Sequence, residues 1–232
     1  MQRRTFVTGL AIAAGGAAAI RWVPGARAQE GVGSVAHVEV WAYGTPPQAR
    51  RRDLYIADDV VGGERVETVP QGALHVVFLD GTEMRLGSES AMTLDSYVYD
   101  PGSGGGELLL NLPAGVFRFI SGNLNEEGIV LTTPVAQIGV RGSVVDIAVA
   151  DDGKTDIMVR EGTGLITPLE GPAPVTKEVP APGTASVSPG GGTSDAGAVP
   201  NDPGLRSRPS RGPGRRRGRG GSREESSDDG SP

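Results

Sequence analysis

The chain has 232 residues, 28 acidic and 22 basic side chains, a formal net charge of −6, two histidines and no cysteine. The missing cysteines exclude a disulfide-stapled scaffold and thiol chemistry, so a folded region must rest on its own apolar core. The charge is unevenly spread: residues 29–170 hold 21 acidic and 9 basic groups, a net of −12, which opposes nucleic acid as a ligand of that region.

Residues 1–28 read as an address label. Arg3-Arg4 precede Thr5 and Phe6, Gly9 to Ile20 form a short Ala/Gly-rich apolar run, and Ala26-Arg27-Ala28 supply a small-x-small cleavage site. The pattern resembles a twin-arginine export signal. A dozen weakly apolar residues fall short of the ~30 Å hydrocarbon core, and no other stretch approaches a membrane span. A periplasmic or secreted mature chain is the expectation.

From Gly31 onward short apolar runs alternate with turn formers. Gly31 to Tyr43 suits a strand or strand pair, and Thr45 to Arg52 a Pro-Pro and triple-Arg loop. Then come Leu74, Val76 and Phe78; Met84 and Leu86; Met92 and Leu94; Leu108, Leu110 and Leu112; Val116 and Ile120; Ile157 and Val159; and Leu165. Gly72, Asp80-Gly81, Gly87, Pro101 to Gly106, Gly115, Gly122, Gly128 and Asp152-Gly153 separate them. No window carries a helical apolar stripe, so residues 29–170 are expected to be one all-β domain of short strands with glycine corners. Two arrangements fit, a compact solenoid-like stack or a twin-sheet sandwich. Asp95 to Gly106, with Tyr97 and Tyr99, reads as a surface loop leaving the stack, and paired tyrosines on a loop suit recognition.

The most strongly patterned stretch is Ile129 to Val149. Its period of two shifts phase at Pro134 and again near Gly139 and Gly142, which predicts two bends that turn corners instead of reversing. Arg141 stands between Gly139 and Gly142 in an apolar run and must pair with an internal carboxylate or project at a corner. Arg141, Gly139, Gly142, Tyr97 and Tyr99 are the candidate interaction residues.

Beyond Glu170 the composition turns to Pro, Gly, Ser, Ala and Thr, predicting a disordered tail over 171–232. Arg206 to Arg223 contain eight arginines and no acid, and Glu224, Glu225, Asp228 and Asp229 follow. Such blocks suit electrostatic contact with polyanions or with the chain's own acidic domain. Catalytic, metal and cofactor patterns are missing from the sequence: His37 and His75 sit in strand-like runs, Ser143 lacks a nucleophile elbow, and no ligand spacing or phosphate loop occurs. A non-enzymatic role without a cofactor is expected.

Five segments in order resemble the FecR domain family: Gly33-Ser34-Val35; Gly72 to Leu86, with Asp80-Gly81-Thr82; Leu112 to Phe119; Thr132 to Ser143; and Val159-Arg160-Glu161-Gly162. Ser143 stands where the family usually has Thr. The resemblance implies a FecR domain acting in the envelope, where named members relay the state of an outer-membrane iron transporter to a sigma factor. With residues before Gly31 used by the export signal, no anti-sigma segment is expected. The implied role is a stand-alone module contacting an envelope protein or polymer, or an accessory in envelope signalling.

Overall fold

The computed structural model describes residues 30–171 and 175–195, and the export-signal reading and the arginine-rich segment lie outside them. The described residues form fifteen strands and one 3-10 turn, Glu126–Gly128. The strands are β1 (Gly31–Glu39), β2 (Ala42–Thr45), β3 (Arg52–Asp53), β4 (Asp59–Val61), β5 (Arg65–Thr68), β6 (Ala73–Phe78), β7 (Glu83–Leu86) and β8 (Ala91–Tyr99). They continue with β9 (Gly106–Ile120), β10 (Ile129–Thr132), β11 (Ala136–Val149), β12 (Thr155–Pro168), β13 (Lys177–Pro180), β14 (Gly183–Val187) and β15 (Thr193–Ser194).

Strand pairing sorts them into two leaves. In the first, the order is β3-β2-β5-β8, the front half of β9, β10, the front half of β11, the back half of β12, then β13. In the second it is β4-β1-β6-β7, the back half of β9, the back half of β11, the front half of β12, then β14 and β15. The three longest strands therefore belong to both leaves. Each changes leaf at a glycine, Gly115 in β9, Gly142 in β11 and Gly162 in β12, all with positive φ (120°, 55° and 72°). That region of backbone space is open to glycine and strained for other residues.

Both expected arrangements have a counterpart here. The fold is a twin-sheet one, yet β9 runs through one leaf, crosses, returns through the other, and leads to β10, which pairs parallel with the front half of β9. That is one solenoid-like coil. A single hydrophobic cluster joins the leaves, with Leu108, Leu110, Leu112, Ile138 and Ile166 from the first and Val76, Met84, Phe117, Phe119, Ile147 and Ile157 from the second. Alternation of these residues with polar neighbours along each strand is what makes two buried inner faces.

Three expectations are corrected. At Pro134 the chain reverses, because β10 and β11 pair antiparallel; Thr133 closes the turn, its N–H donating to the Ala136 carbonyl (2.8 Å) and its Oγ1 accepting from the Ala136 N–H (3.1 Å). Tyr97 and Tyr99 are not on a loop but in β8, paired with Leu108 and Gly106 of β9. Strand structure also continues past Glu170: β13 and β14 cover both halves of β12, and Val179, Ala185 and Val187 are buried in the core. The Pro/Gly-rich composition hid them because three well-spaced apolar residues suffice when a long strand edge already offers its N–H and C=O groups.

Candidate functional site

Asp80 opens the tight turn between β6 and β7, with Gly81 at φ 85°. Its side chain is 1% exposed and serves as an acceptor hub. Oδ1 accepts from the Tyr97 hydroxyl (3.1 Å) and the Thr82 N–H (3.3 Å); Oδ2 accepts from the Thr82 hydroxyl and the Leu124 N–H (3.3 Å). The Asp80 carbonyl takes both the Asn123 N–H and its side-chain amide, each at 2.9 Å. One aspartate thus fixes its own turn, the loop after β9, and β8.

Tyr97 stacks on Phe78 with ring centroids 5.6 Å apart, and its hydroxyl also accepts the Asp80 N–H at 2.9 Å. Burial, followed by the adjacent Asp80 carboxylate, pushes its phenol well above the usual range. The unfolded chain then loses this proton near pH 10 while the folded chain keeps it, so Tyr97 contributes stability below pH 10 that fades as pH rises further. Replacing Tyr97→Phe is expected to cost about 1–2 kcal/mol at neutral pH and to flatten the alkaline part of a stability–pH curve, measured by urea unfolding. Tyr97 is therefore architecture; Tyr99 is half-buried and packs against the same core.

The β11 corner holds Arg141, Gly142 and Ser143. Ser143, 1% exposed, ties three strands together. Its Oγ accepts the Arg141 and Thr163 N–H groups (both 3.1 Å), and its one hydroxyl proton is shared between the carbonyls of Arg141 (2.8 Å) and Thr163 (2.9 Å). Its N–H donates to the Ser121 hydroxyl at 2.9 Å, reaching β9's exit. A hydroxyl is what the position needs, so Ser143→Ala should lose about 2 kcal/mol in thermal or urea unfolding by leaving buried N–H groups unpaired.

Of the two fates open to Arg141, the structure has the corner: its side chain is exposed and makes no ion pair among the described residues. Gly139 departs from expectation, since it continues β11 opposite Leu165 without a positive φ and makes no bend. Beside Gly142, a shallow cleft of about 590 Å³ is lined by Ser121 to Glu127, with Glu126 and Glu127 exposed on its rim. Gly142, next to Arg141, thus lines this cleft, and Tyr97 reaches the same loop through Asp80, which binds Asn123 and Leu124, whereas Tyr99 packs on the core.

An ion-pair group that the sequence did not single out lies on the outer face of the second leaf. Registers place His75, Arg85, Arg118 and Asp146 side by side on β6, β7, β9 and β11. Arg118 binds Asp146 in a fork, Nε to Oδ1 at 2.6 Å and NH2 to Oδ2 at 2.8 Å, and Arg160 adds a bond from Nε. The pairing with Asp146 holds the Arg118 guanidinium above its ordinary range despite burial. His75 Nε2 lies 3.0 Å from Glu83 Oε2 without the alignment of a hydrogen bond. Burial, then Arg85, depresses its pKa below 6.5, so it contributes stability that falls away as pH drops below that value. The Ser143 hydroxyl is bonded within its corner, and His75 sits three strands from β11. Among the described residues no three of His, Cys, Asp or Glu are grouped to hold a metal ion.

Residues 64–163, from the start of β5 to the β12 corner, match the family model described as FecR protein. This stretch is a FecR domain. No curated protein matches the sequence. Two crystal structures of a protein from Parabacteroides distasonis ATCC 8503, provisionally described as an anti-sigma factor, are similar, at 2.50 Å and 1.65 Å resolution. Each is 17% identical, covers 57% of this chain and 58% of its own length, and has a TM-score of 0.45. The chain thus spans somewhat over half the length of these proteins.

Within the FecR domain the signature residues now have physical roles. Asp80-Gly81-Thr82 is the hub joining β6, β7, β8 and the loop after β9. Gly142-Ser143 and Gly162 form the corner at which β11 and β12 change leaf together. Arg118 and Asp146 alternate with the core residues Phe117, Phe119, Val145 and Ile147; their pairing follows from the register of β9 on β11, which alternation alone does not set. No helix of the described residues is long and apolar enough to cross a membrane.

Proposed function

We propose that this protein is an exported, non-enzymatic accessory of FecR-type envelope signalling, in which the domain recognises another envelope protein and passes its state to a membrane-bound regulator. The observation that carries the reading is the FecR match, which covers β5 to the β12 corner and includes both the Asp80 hub and the Ser143 corner. The exposed Arg141, next to Gly142 at the edge of the acid-rimmed cleft, offers a charged contact point held on a rigid corner. Rigid placement favours recognition, because little ordering entropy remains to be lost on binding.

In this reading the twin-arginine segment directs export and no cofactor takes part. A contact made through charges at the protein surface gives specificity and on-rate more than affinity, and weakens with salt. Deleting the gene is expected to change the transcription of a limited gene set, with recovery when the wild-type gene is returned. An unaltered RNA profile across iron-replete and iron-poor growth would remove the signalling role. A binding or scaffold module with no transcriptional output would then remain, and capture from periplasmic extract at low and high salt would test it.

A further inference from the structure

Four large apolar side chains, Val40, Trp41, Tyr55 and Ile56, are between 55% and 64% exposed. They lie on two crossings between the leaves, Val40-Trp41 and Leu54 to Asp58, which the backbone ties together at Ala42 and at Val35, next to Trp41 and Tyr55 at the first of these points. The Leu54 N–H donates to the Ala42 carbonyl (3.0 Å) and the Ala57 N–H to the Val35 carbonyl (2.8 Å). Val40 and Ala57 both have positive φ, 62° and 72°. For the β-branched Val40 this is a strained conformation. Glu39 precedes Val40, and Asp53 and Asp59 flank the Leu54 to Asp58 crossing; all three are exposed and without ion pairs among the described residues. Clustered Trp, Tyr and aliphatic groups on a surface mark a site that is covered by something.

The chain supplies a complementary occupant. Arg206 to Arg223 contain eight arginines and no acid, whereas residues 29–170 carry a net charge of −12. A guanidinium can lie flat on an indole or phenol ring while pairing with a neighbouring carboxylate, which a lysine does less well. That chemistry already operates next to the patch, where Arg51 lies 3.6 Å above the centre of the Tyr43 ring.

Reach is sufficient. The described residues end at Asp195, just after β15 on one edge of the second leaf, and β1 lies seven strand positions away in that leaf. At ~4.8 Å per strand the separation is about 34 Å. Arg206 is eleven residues beyond Asp195 and, extended, reaches about 37 Å; Arg215 to Arg219 reach roughly twice as far without being taut. A tether of this length keeps the segment at an effective concentration on the order of millimolar, enough for a weak contact to be populated.

We propose that the Arg206–Arg223 segment docks on the patch of Val40, Trp41, Tyr55 and Ile56, held by stacking on the rings and by Glu39, Asp53 and Asp59. The contact covers the surface until a competing polyanion draws the arginines off or a partner displaces them. It does not depend on the signalling role.

The test uses the full chain with Trp22→Phe, which leaves Trp41 as the sole tryptophan. Acrylamide quenching of Trp41 is measured beside a variant in which Arg211, Arg215, Arg216, Arg217 and Arg219 are replaced by Ser. At about 20 mM NaCl the quenching constant is expected to be about two- to threefold lower in the parent, and the difference to vanish near about 1 M NaCl. A synthetic peptide of residues 206–223 added to the variant should restore protection. Equal quenching in parent and variant at low salt overturns the proposal. So does protection that rises with protein concentration, which would mean that a second copy covers the patch.

Discussion

Replacing Gly162→Ala is expected to destabilise the domain by about 3–5 kcal/mol, enough to leave much of it unfolded at 37 °C. A Cβ at this position would lie 2.3 Å from the Arg141 carbonyl oxygen, 2.5 Å from the Gly142 carbonyl oxygen and 2.7 Å from Ser143 Oγ. Two of these are backbone atoms that cannot swing aside, and φ is 72°, so steric overlap and conformational strain add at one residue. Relief would require β11 and β12 to separate at the point where both change leaf, which breaks the Ser143 bonds to Thr163. Gly139→Ala is the matched control. Its Cβ would meet nothing closer than 3.5 Å, at the Leu165 side chain, and its backbone is ordinary strand. That change should stay within about 1 kcal/mol of the parent in urea unfolding.

The second large effect is expected at Asp146. Asp146 is 3% exposed and its carboxylate pairs with two guanidiniums, of which Arg118 is itself only 8% exposed. Asp146→Ala would take from the buried Arg118 cation its two-pronged carboxylate partner, a loss of about 3–5 kcal/mol. The asymmetry of a buried pair supplies the control: replacing both members together, Arg118→Met with Asp146→Leu, removes the desolvation cost along with the attraction and should recover most of that loss. Arg160 is different. Its side chain is 40% exposed, water screens it, and Arg160→Ala should cost no more than about 1 kcal/mol. Thermal or urea unfolding of the three variants would separate these outcomes.

The all-β character and the corners were legible in the sequence because alternation and glycine act locally. Val145, Ile147 and Val149 declare one buried face, and Gly142 and Gly162 are the residues a chain needs to enter left-handed backbone. What was not legible depends on which strand lies beside which. Pro134 looked like a corner because a proline interrupts a ladder in either case; the reversal is decided by Thr133 bonding to Ala136. Tyr97 looked like a recognition residue because the glycine-rich stretch after it resembles a loop, while the partner that claims its hydroxyl, Asp80, is seventeen residues earlier. β13 and β14 were missed because their strand character comes from the waiting edge of β12. Arg141 kept both of its alternatives in the sequence, and burial alone separated them.

In the proposed function, the domain contacts an envelope partner through the exposed β11 corner. A photo-crosslinking amino acid placed at position 141, with the full chain expressed in its own cells, tests it most directly. Arg141 is exposed and unpaired among the described residues, so the substituted domain should fold with parental stability. One discrete crosslinked product is expected in the envelope fraction, absent when the same group replaces Asp152 on the distant β11–β12 turn. No product from position 141 in correctly exported protein, or an equal yield of the same product from position 152, would contradict it.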